Sequence, residues 1–551
     1  MKNIIKYTFL SALITGIVAC DVDNTLPEIK EASSETITAS AGSADFSKYV
    51  AIGASFTAGF TDNALFKAAQ ENSFPNTLAK KFAMVGGGNF SQPLMNDNFG
   101  GLILAGNPVI NPSTGQRLFA ERLVFNGTGP ASLTSLNPLA MSTTDFALNN
   151  PTGPFSNLGV PGAKSFHLLA DGYGSLANFP AAANPYAIRI AGNTNTSIIG
   201  LAVAQNPTFF TLSEFGGNDV LGYAITGGDG SNPITPTATF NGALDLTINA
   251  LAATNAKGLI ANVPYITSLP YFTTVPHAPL DPSNPALAAQ IPTLNTVYGA
   301  LNQVFSALGE TERIVQFSTT AANPVIIHDE NLAPLSATIT AALGANPAFV
   351  PFVQSLGLPA SAAPLVAQLM GNQYGQARPA TEDDLIVLPS STIISTVNTD
   401  AAANLIAASG GLLPASLAGQ FSAEGVTLPL ADKWVLTPEE QMEIKTATDD
   451  YNTSLKAKAD ANGYAFVDFN AILQQAATTG LPFDNNLLTT SLVTGGLVSL
   501  DGIHLTGKGY ALMANKMLEA IDTAYGSNFG QATNGLAKSE DYPTNYSPLL
   551  Q

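Results

Sequence analysis

Residues 49–59 read Tyr49-Val50-Ala51-Ile52-Gly53-Ala54-Ser55-Phe56-Thr57-Ala58-Gly59. A short apolar run stops at one glycine, and a second glycine follows the serine. Near-continuous apolar runs of this kind fit strands buried on both faces, as in a parallel sheet covered by helices. Glycines on both sides of Ser55 allow a tight strand-to-helix turn, which would leave the serine hydroxyl at the carboxyl end of the sheet. Open α/β sheets bind their ligands there, and a helix starting at that point aims its free N–H groups the same way. In isolation a serine near glycine reads more readily as a helix cap, and the spacing is not the Gly-x-Ser-x-Gly elbow of the α/β-hydrolases.

The same strand–loop–helix rhythm recurs along the chain. PTFFTLSEF (207–215) stops at Gly216-Gly217, GLIANV (258–263) stops at Pro264, and YAFVDF (464–469) is the last clear strand. A helix is predicted over 437–462, with Thr437 as cap, Pro438 at the first helical position and Glu440 three after the cap. Ile444, Thr448, Tyr451, Leu455 and Ala459 repeat at helical spacing, and Gly463 ends it. A final helix is expected over 509–524, with Met513, Met517 and Ile521 on one face. This alternation argues for a three-layer α/β domain. Two stretches exceed a minimal domain. Residues 88–150 are rich in Gly, Asn and Pro. Residues 276–432 are Ala/Leu/Pro-rich and weakly charged, with helix-like pieces at 285–308 and 344–370. Both read as insertions over the core, as a lid or cap, and the low charge of 276–432 fits either a buried subdomain or a cap presenting apolar surface to acyl chains.

Composition narrows the function classes. The 551 residues are 46% hydrophobic and 11% charged, which excludes a disordered polyelectrolyte. Twenty-one Lys and Arg against 40 Asp and Glu give a net charge of −19, the wrong sign for nucleic acid or an anionic membrane surface. A single cysteine rules out an intrachain disulfide and a thiolate cluster, and four histidines argue against a His-rich metal site. There is no Gly-rich phosphate loop, no His-Glu-x-x-His and no calcium-loop match.

The N-terminus reads MKNIIKYTFLSALITGIVAC. Lys2 and Lys6 precede an apolar run too short for a confident membrane span, which fits a secretory signal. The only cysteine, Cys20, ends that run after Ile17-Val18-Ala19. This resembles a bacterial lipoprotein lipobox, implying a signal over 1–19 and acylation of Cys20. The polar, acidic stretch that follows reads as a solvated tether over 20–45.

Two more segments carry chemistry. Glu214-Phe215-Gly216-Gly217-Asn218-Asp219 closes a strand, where glycines let backbone approach a ligand and the Asn218 amide can donate a hydrogen bond. Asp501-Gly502-Ile503-His504 precedes the last helix. A carboxylate three residues ahead of an imidazole can fold back on Nδ1–H and leave Nε2 as a base. In their order, with Asn157-Leu158-Gly159-Val160-Pro161-Gly162-Ala163 between, these blocks resemble the SGNH hydrolases, the GDSL-type esterase and lipase superfamily. The recognisable blocks cover under half the chain.

The resemblance implies a three-layer α/β/α, flavodoxin-like core with a parallel sheet, here carrying large, mainly helical insertions. It implies Ser55 as nucleophile, His504 as general base and Asp501 as its orienting partner. The oxyanion hole would be the Ser55 and Gly162 N–H groups with the Asn218 side chain. No cofactor is required. The family block usually has Asp or another polar residue before the serine, and this chain has Ala54. The expected organisation is core over 46–275, cap-like insertion over 276–432, core again over 433–526 and a C-terminal tail over 527–551. The expected activity is hydrolysis of a lipid ester, an acylated glycan or a small acyl ester. The protein would be anchored through Cys20 in a bacterial envelope, in the manner of outer-membrane lipoproteins of the Bacteroidetes type. An acyltransferase and a lipid- or glycan-binding protein with a decayed site are the alternatives.

Overall fold

Tyr49–Gly53 forms strand β1, and every residue of it is buried. Tyr49 and Ala51 face one apolar layer with Phe74, Leu78 and Met517. Val50 and Ile52 face the opposite layer with Phe240, Leu244 and Tyr451. A strand buried on both faces has no polar side to alternate with, which is why it reads as an unbroken apolar run. The computed structural model describes residues 36–112, 114–192 and 194–551. The expected signal, Cys20 and most of the expected tether lie outside the described residues.

After β1 the chain makes a short helix α1 (Ser55–Ala58) and α2 (Phe74–Phe82), whose Ser73 cap accepts the Asn76 N–H. Strand β2 (Asn157–Gly159), α3 (Ile198–Ala204), β3 (Phe209–Leu212), α4 (Gly217–Ile225), α5 (Thr237–Ala252) and β4 (Lys257–Ala261) follow. The inserted region carries α6 (Ile291–Leu308), α7 (Ser336–Ala345) and α8 (Ala363–Tyr374). The chain returns through α9 (Pro438–Asn462), β5 (Ala465–Val467), α10 (Phe469–Thr478) and α11 (Gly507–Tyr525). The capping box of α9 forms as the sequence predicts, and Gly463 ends the helix in the left-handed conformation.

The five strands make one parallel sheet in the order β2-β1-β3-β4-β5. Helices α3, α5 and α9 pack on one face, and α2 and α11 on the other. The α/β class expected from the sequence is therefore observed. Because β2 and β3 flank β1, the chain leaves β1 and β3 in opposite lateral directions. This switch point opens a crevice at the carboxyl ends of β1 and β3.

The inserted region has its own apolar cluster, running from Val275 to Val435 and including Tyr298, Leu301, Ile327, Ile339 and Tyr374. A short antiparallel pair, Ile326–His328 with Ala377–Pro379, braces it. The helix-like piece at 344–370 is broken. One helix ends at Ala345, another spans Phe349–Ser355, and α8 begins only at Ala363. Pro347 and the Gly357–Pro359 turn supply the breaks, since proline forces the preceding residue out of the helical region. Residues 88–150 are mostly irregular, with two short hairpins. Within them the fully buried Arg122 donates to the Asn98 carbonyl at 2.8 Å and the Ser547 carbonyl at 2.7 Å. The segment after α11 thus packs on the body, as does Ala44, within the expected tether, where the Ser43 N–H donates to the Tyr525 carbonyl. Among the described residues no single helix is long and apolar enough to cross a membrane.

Candidate active site

Ser55 is the first residue of α1 and is 7% exposed. Ala54 offers the helix no side-chain cap. The cap comes instead from Glu214, two residues beyond β3. Its carboxylate accepts the Phe56 N–H at 2.6 Å, the Thr57 N–H at 2.8 Å and the Thr57 hydroxyl at 2.6 Å. These are N–H groups that a helix start leaves without partners. Glu214 adopts a left-handed backbone, φ +53°, to reach them, a conformation that costs an L-residue roughly 1–2 kcal/mol. Burial raises its pKa to about 7, with the Thr57 and Phe56 donors pulling the other way. Among the described residues the Ser55 N–H meets no acceptor.

The turn rests on the end of β2. A Cβ on Gly159 would lie 2.3 Å from the Ala58 nitrogen and 2.9 Å from the Ala54 oxygen, so only glycine fits. Gly53 and Gly159 are paired in register, and the chain therefore leaves β1 and β2 side by side. Gly162 follows with φ +78°, and its N–H also has no acceptor among the described residues. Asn218, in the first turn of α4, donates from Nδ2 to the Ala163 carbonyl at 2.9 Å. This ties it to the Gly162 segment and leaves its amide a second N–H. The adjacent Asp219 is fully buried and accepts the Ser165 N–H at 2.8 Å and hydroxyl at 2.7 Å, locking the same two segments.

Asp501 Oδ2 lies 2.9 Å from His504 Nδ1. The carboxylate also accepts the Ile503 and His504 backbone N–H groups, the Asn63 N–H and the Ser499 hydroxyl. Burial opposes its ionisation. The neighbouring His504 and these donors outweigh burial and hold Asp501 well below the usual carboxylate range. The imidazole packs against Phe60, ring centroids 4.6 Å apart, and Phe56, 5.7 Å apart. Asp62 laces the same segments together, its N–H donating to Ser499 Oγ and its carboxylate accepting the Leu500 N–H. The chain around Ser55 thus wraps the Asp501–His504 pair. No hydrogen bond joins Ser55 Oγ to His504 Nε2, and neither atom has a partner among the described residues. Such bonds are often long before substrate binds.

A cleft opens beside Ser55, Glu214 and Asn218. Its walls are aliphatic: Leu221, Val263, Ile472, Leu481, Leu497 and Leu512 among them. The Asn262 amide on its wall is engaged by Asp468 at 2.7 Å. Among the described residues, a set of metal-ligating side chains close enough for one ion occurs at Glu330, Asp432 and Glu440, and includes none of the residues above.

The structure therefore brings Ser55, Asp501 and His504 into one neighbourhood, with Gly162 and Asn218 joined beside the Ser55 turn. Cys20 lies outside the described residues. The sequence reading missed Glu214 and Asp62. Glu214 stood in a quoted block without a role, and only its meeting with a turn 157 positions away supplies one. Compared with protein-family models, with curated proteins and with solved structures, the chain matches none.

Proposed function

We propose that the chain is a serine ester hydrolase of the SGNH type, acting through an acyl-enzyme on Ser55. The carrying observation is the Asp501–His504 pair at 2.9 Å beside a serine turn at the carboxyl edge of a parallel sheet. Asp501 would hold the His504 tautomer with Nε2 free and stabilise the imidazolium. Ser55 Oγ attacks the ester carbonyl carbon as its proton passes to His504 Nε2. The oxyanion is received by the Ser55 and Gly162 N–H groups and the second Asn218 N–H, where one donor is typically worth about 2.7–4 kcal/mol. The tetrahedral intermediate collapses, the alcohol leaves with the proton from Nε2, and the acyl group stays on Ser55. Water, deprotonated by His504, then releases the acid and restores the serine.

The aliphatic cleft supports a long acyl chain over the acetyl group of a glycan, because it offers such a chain apolar surface along its length and an acetyl group very little. Hydrolysis of p-nitrophenyl esters of increasing chain length, beside a folded Ser55→Ala control, tests the reading. Activity absent from the control and rising with chain length is expected; equal rates in both proteins would reject it. Adding an alcohol acceptor separates hydrolysis from acyl transfer, which shares the acyl-enzyme.

A further inference from the structure

We propose that Glu330, Asp432 and Glu440 form a Ca²⁺ site that pins the exit of the inserted region to helix α9. One carboxylate oxygen from each residue lies within 4.8 Å of the other two. An ion bound at the usual Ca²⁺–oxygen distance of about 2.3–2.6 Å spans opposite ligands up to about 5 Å apart, so a single ion reaches all three.

The second observation is a buried oxygen with nothing to bind. Glu440 is 3% exposed. Its Oε2 accepts the Thr437 N–H at 2.7 Å and hydroxyl at 2.9 Å, closing the capping box. Its Oε1 is buried and has no donor among the described residues, and the same holds for Asp432 Oδ1. Buried carboxylate oxygens without donors are costly and call for a counter-charge. On one side this oxygen packs against the Gly228 backbone, where a Cβ would sit 2.1 Å from Glu440 Oε1. The nearest lysine in sequence, Lys433, holds its ammonium over the Trp434 ring.

The chemistry selects the ion. All three ligands are carboxylates, which suit hard cations, and Ca²⁺ tolerates an irregular oxygen set better than Mg²⁺. Glu330 is exposed, so a hydrated ion can reach the site and keep water ligands. Without an ion, only protons relieve the crowding. Glu330 follows the insertion's Ile326–His328 strand and Asp432 lies in the turn leading out of the insertion, while Glu440 sits in the first turn of α9. The site shares no residue with the proposed esterase centre and stands or falls separately from it.

The test is calorimetric titration of the purified, EDTA-stripped full chain with CaCl₂, beside a Glu330→Gln/Asp432→Asn double variant, with thermal melts of both. The wild type is expected to take up one Ca²⁺ per chain and to melt higher as Ca²⁺ rises. The double variant is expected to bind at least about tenfold more weakly, as is typical when metal-site groups are altered. In EDTA it should melt no lower than the wild type, because two repelling charges are gone. Failure of the wild type to show saturable uptake at millimolar Ca²⁺ would overturn the site, as would unchanged affinity in the double variant.

Discussion

The Glu214 carboxylate engages Thr57 twice, accepting its N–H at 2.8 Å and its hydroxyl at 2.6 Å. The contact crosses from the end of β3 to the turn after β1 and does what Ala54 cannot, capping the helix that begins with Ser55. Glu214 takes the Phe56 and Thr57 donors and leaves the Ser55 N–H without an acceptor among the described residues, as the proposed oxyanion hole requires.

Glu214→Gln should therefore act on rate. An amide turns an NH₂ toward N–H donors, and the lost charge-assisted bonds are worth about 1.5–3 kcal/mol. The expected result is an approximately tenfold or greater fall in kcat with KM nearly unchanged, together with a lower melting temperature. A lower melting temperature with kcat intact would make Glu214 a purely structural residue.

Asp501→Asn should remove most activity. The amide reverses one donor–acceptor relation around His504 and favours the wrong tautomer, an effect on the scale of about 10⁴ in kcat in a Ser-His-Asp system. Urea unfolding should also register the change, since an NH₂ group would face the N–H donors now on the carboxylate.

Leu221→Trp should shorten the accepted acyl chain. Leu221 lines the cleft and is partly buried against the core, so a larger ring can occupy space now open to substrate. A methylene misfit in an apolar pocket is worth about 1–3 kcal/mol. The value of kcat/KM for a long-chain ester should fall about 10- to 200-fold, with a much smaller change for a butyrate ester.

Stability should decline as pH rises from about 5 to about 7. Burial raises Glu214 to about 7, and burial together with Asp501 raises Asp62 to about 7 against the Leu500 donor. Between the unfolded carboxyl values near 4 and these folded values, the folded chain holds protons that the unfolded chain has lost. Stability then falls with increasing pH. Asp501 works oppositely, its contribution being lost only as the solution becomes strongly acidic. Thermal melts across pH 4–8 in EDTA should show the decline. A shallower decline in a Glu214→Gln/Asp62→Asn double variant would identify their share, the remainder belonging to Asp432 and Glu440, which burial raises likewise.

Strands buried on both faces were readable because Val50, Ile52, Phe210 and Leu259 leave no polar alternation. Strand β2 was not, since three residues, Asn157-Leu158-Gly159, carry too little pattern to separate a strand from a turn. The run at 344–370 reads as helix-like from its overall Ala, Val and Leu content, which outweighs Pro347 and the Gly357–Pro359 turn that break it. Of the candidate site, the Asp501–His504 contact was legible since three positions separate its partners. The Glu214 cap and the Glu330–Asp432–Glu440 cluster were not, because each depends on segments joined only by tertiary packing.

Covalent labelling of Ser55 tests the central claim most directly. The full chain would be treated with a long-chain alkyl fluorophosphonate, digested and read by mass spectrometry, beside Ser55→Ala and His504→Ala variants. The account predicts one adduct on the peptide containing Ser55, absent in Ser55→Ala and formed far more slowly in His504→Ala. An unlabelled Ser55, or labelling indifferent to His504, would contradict it.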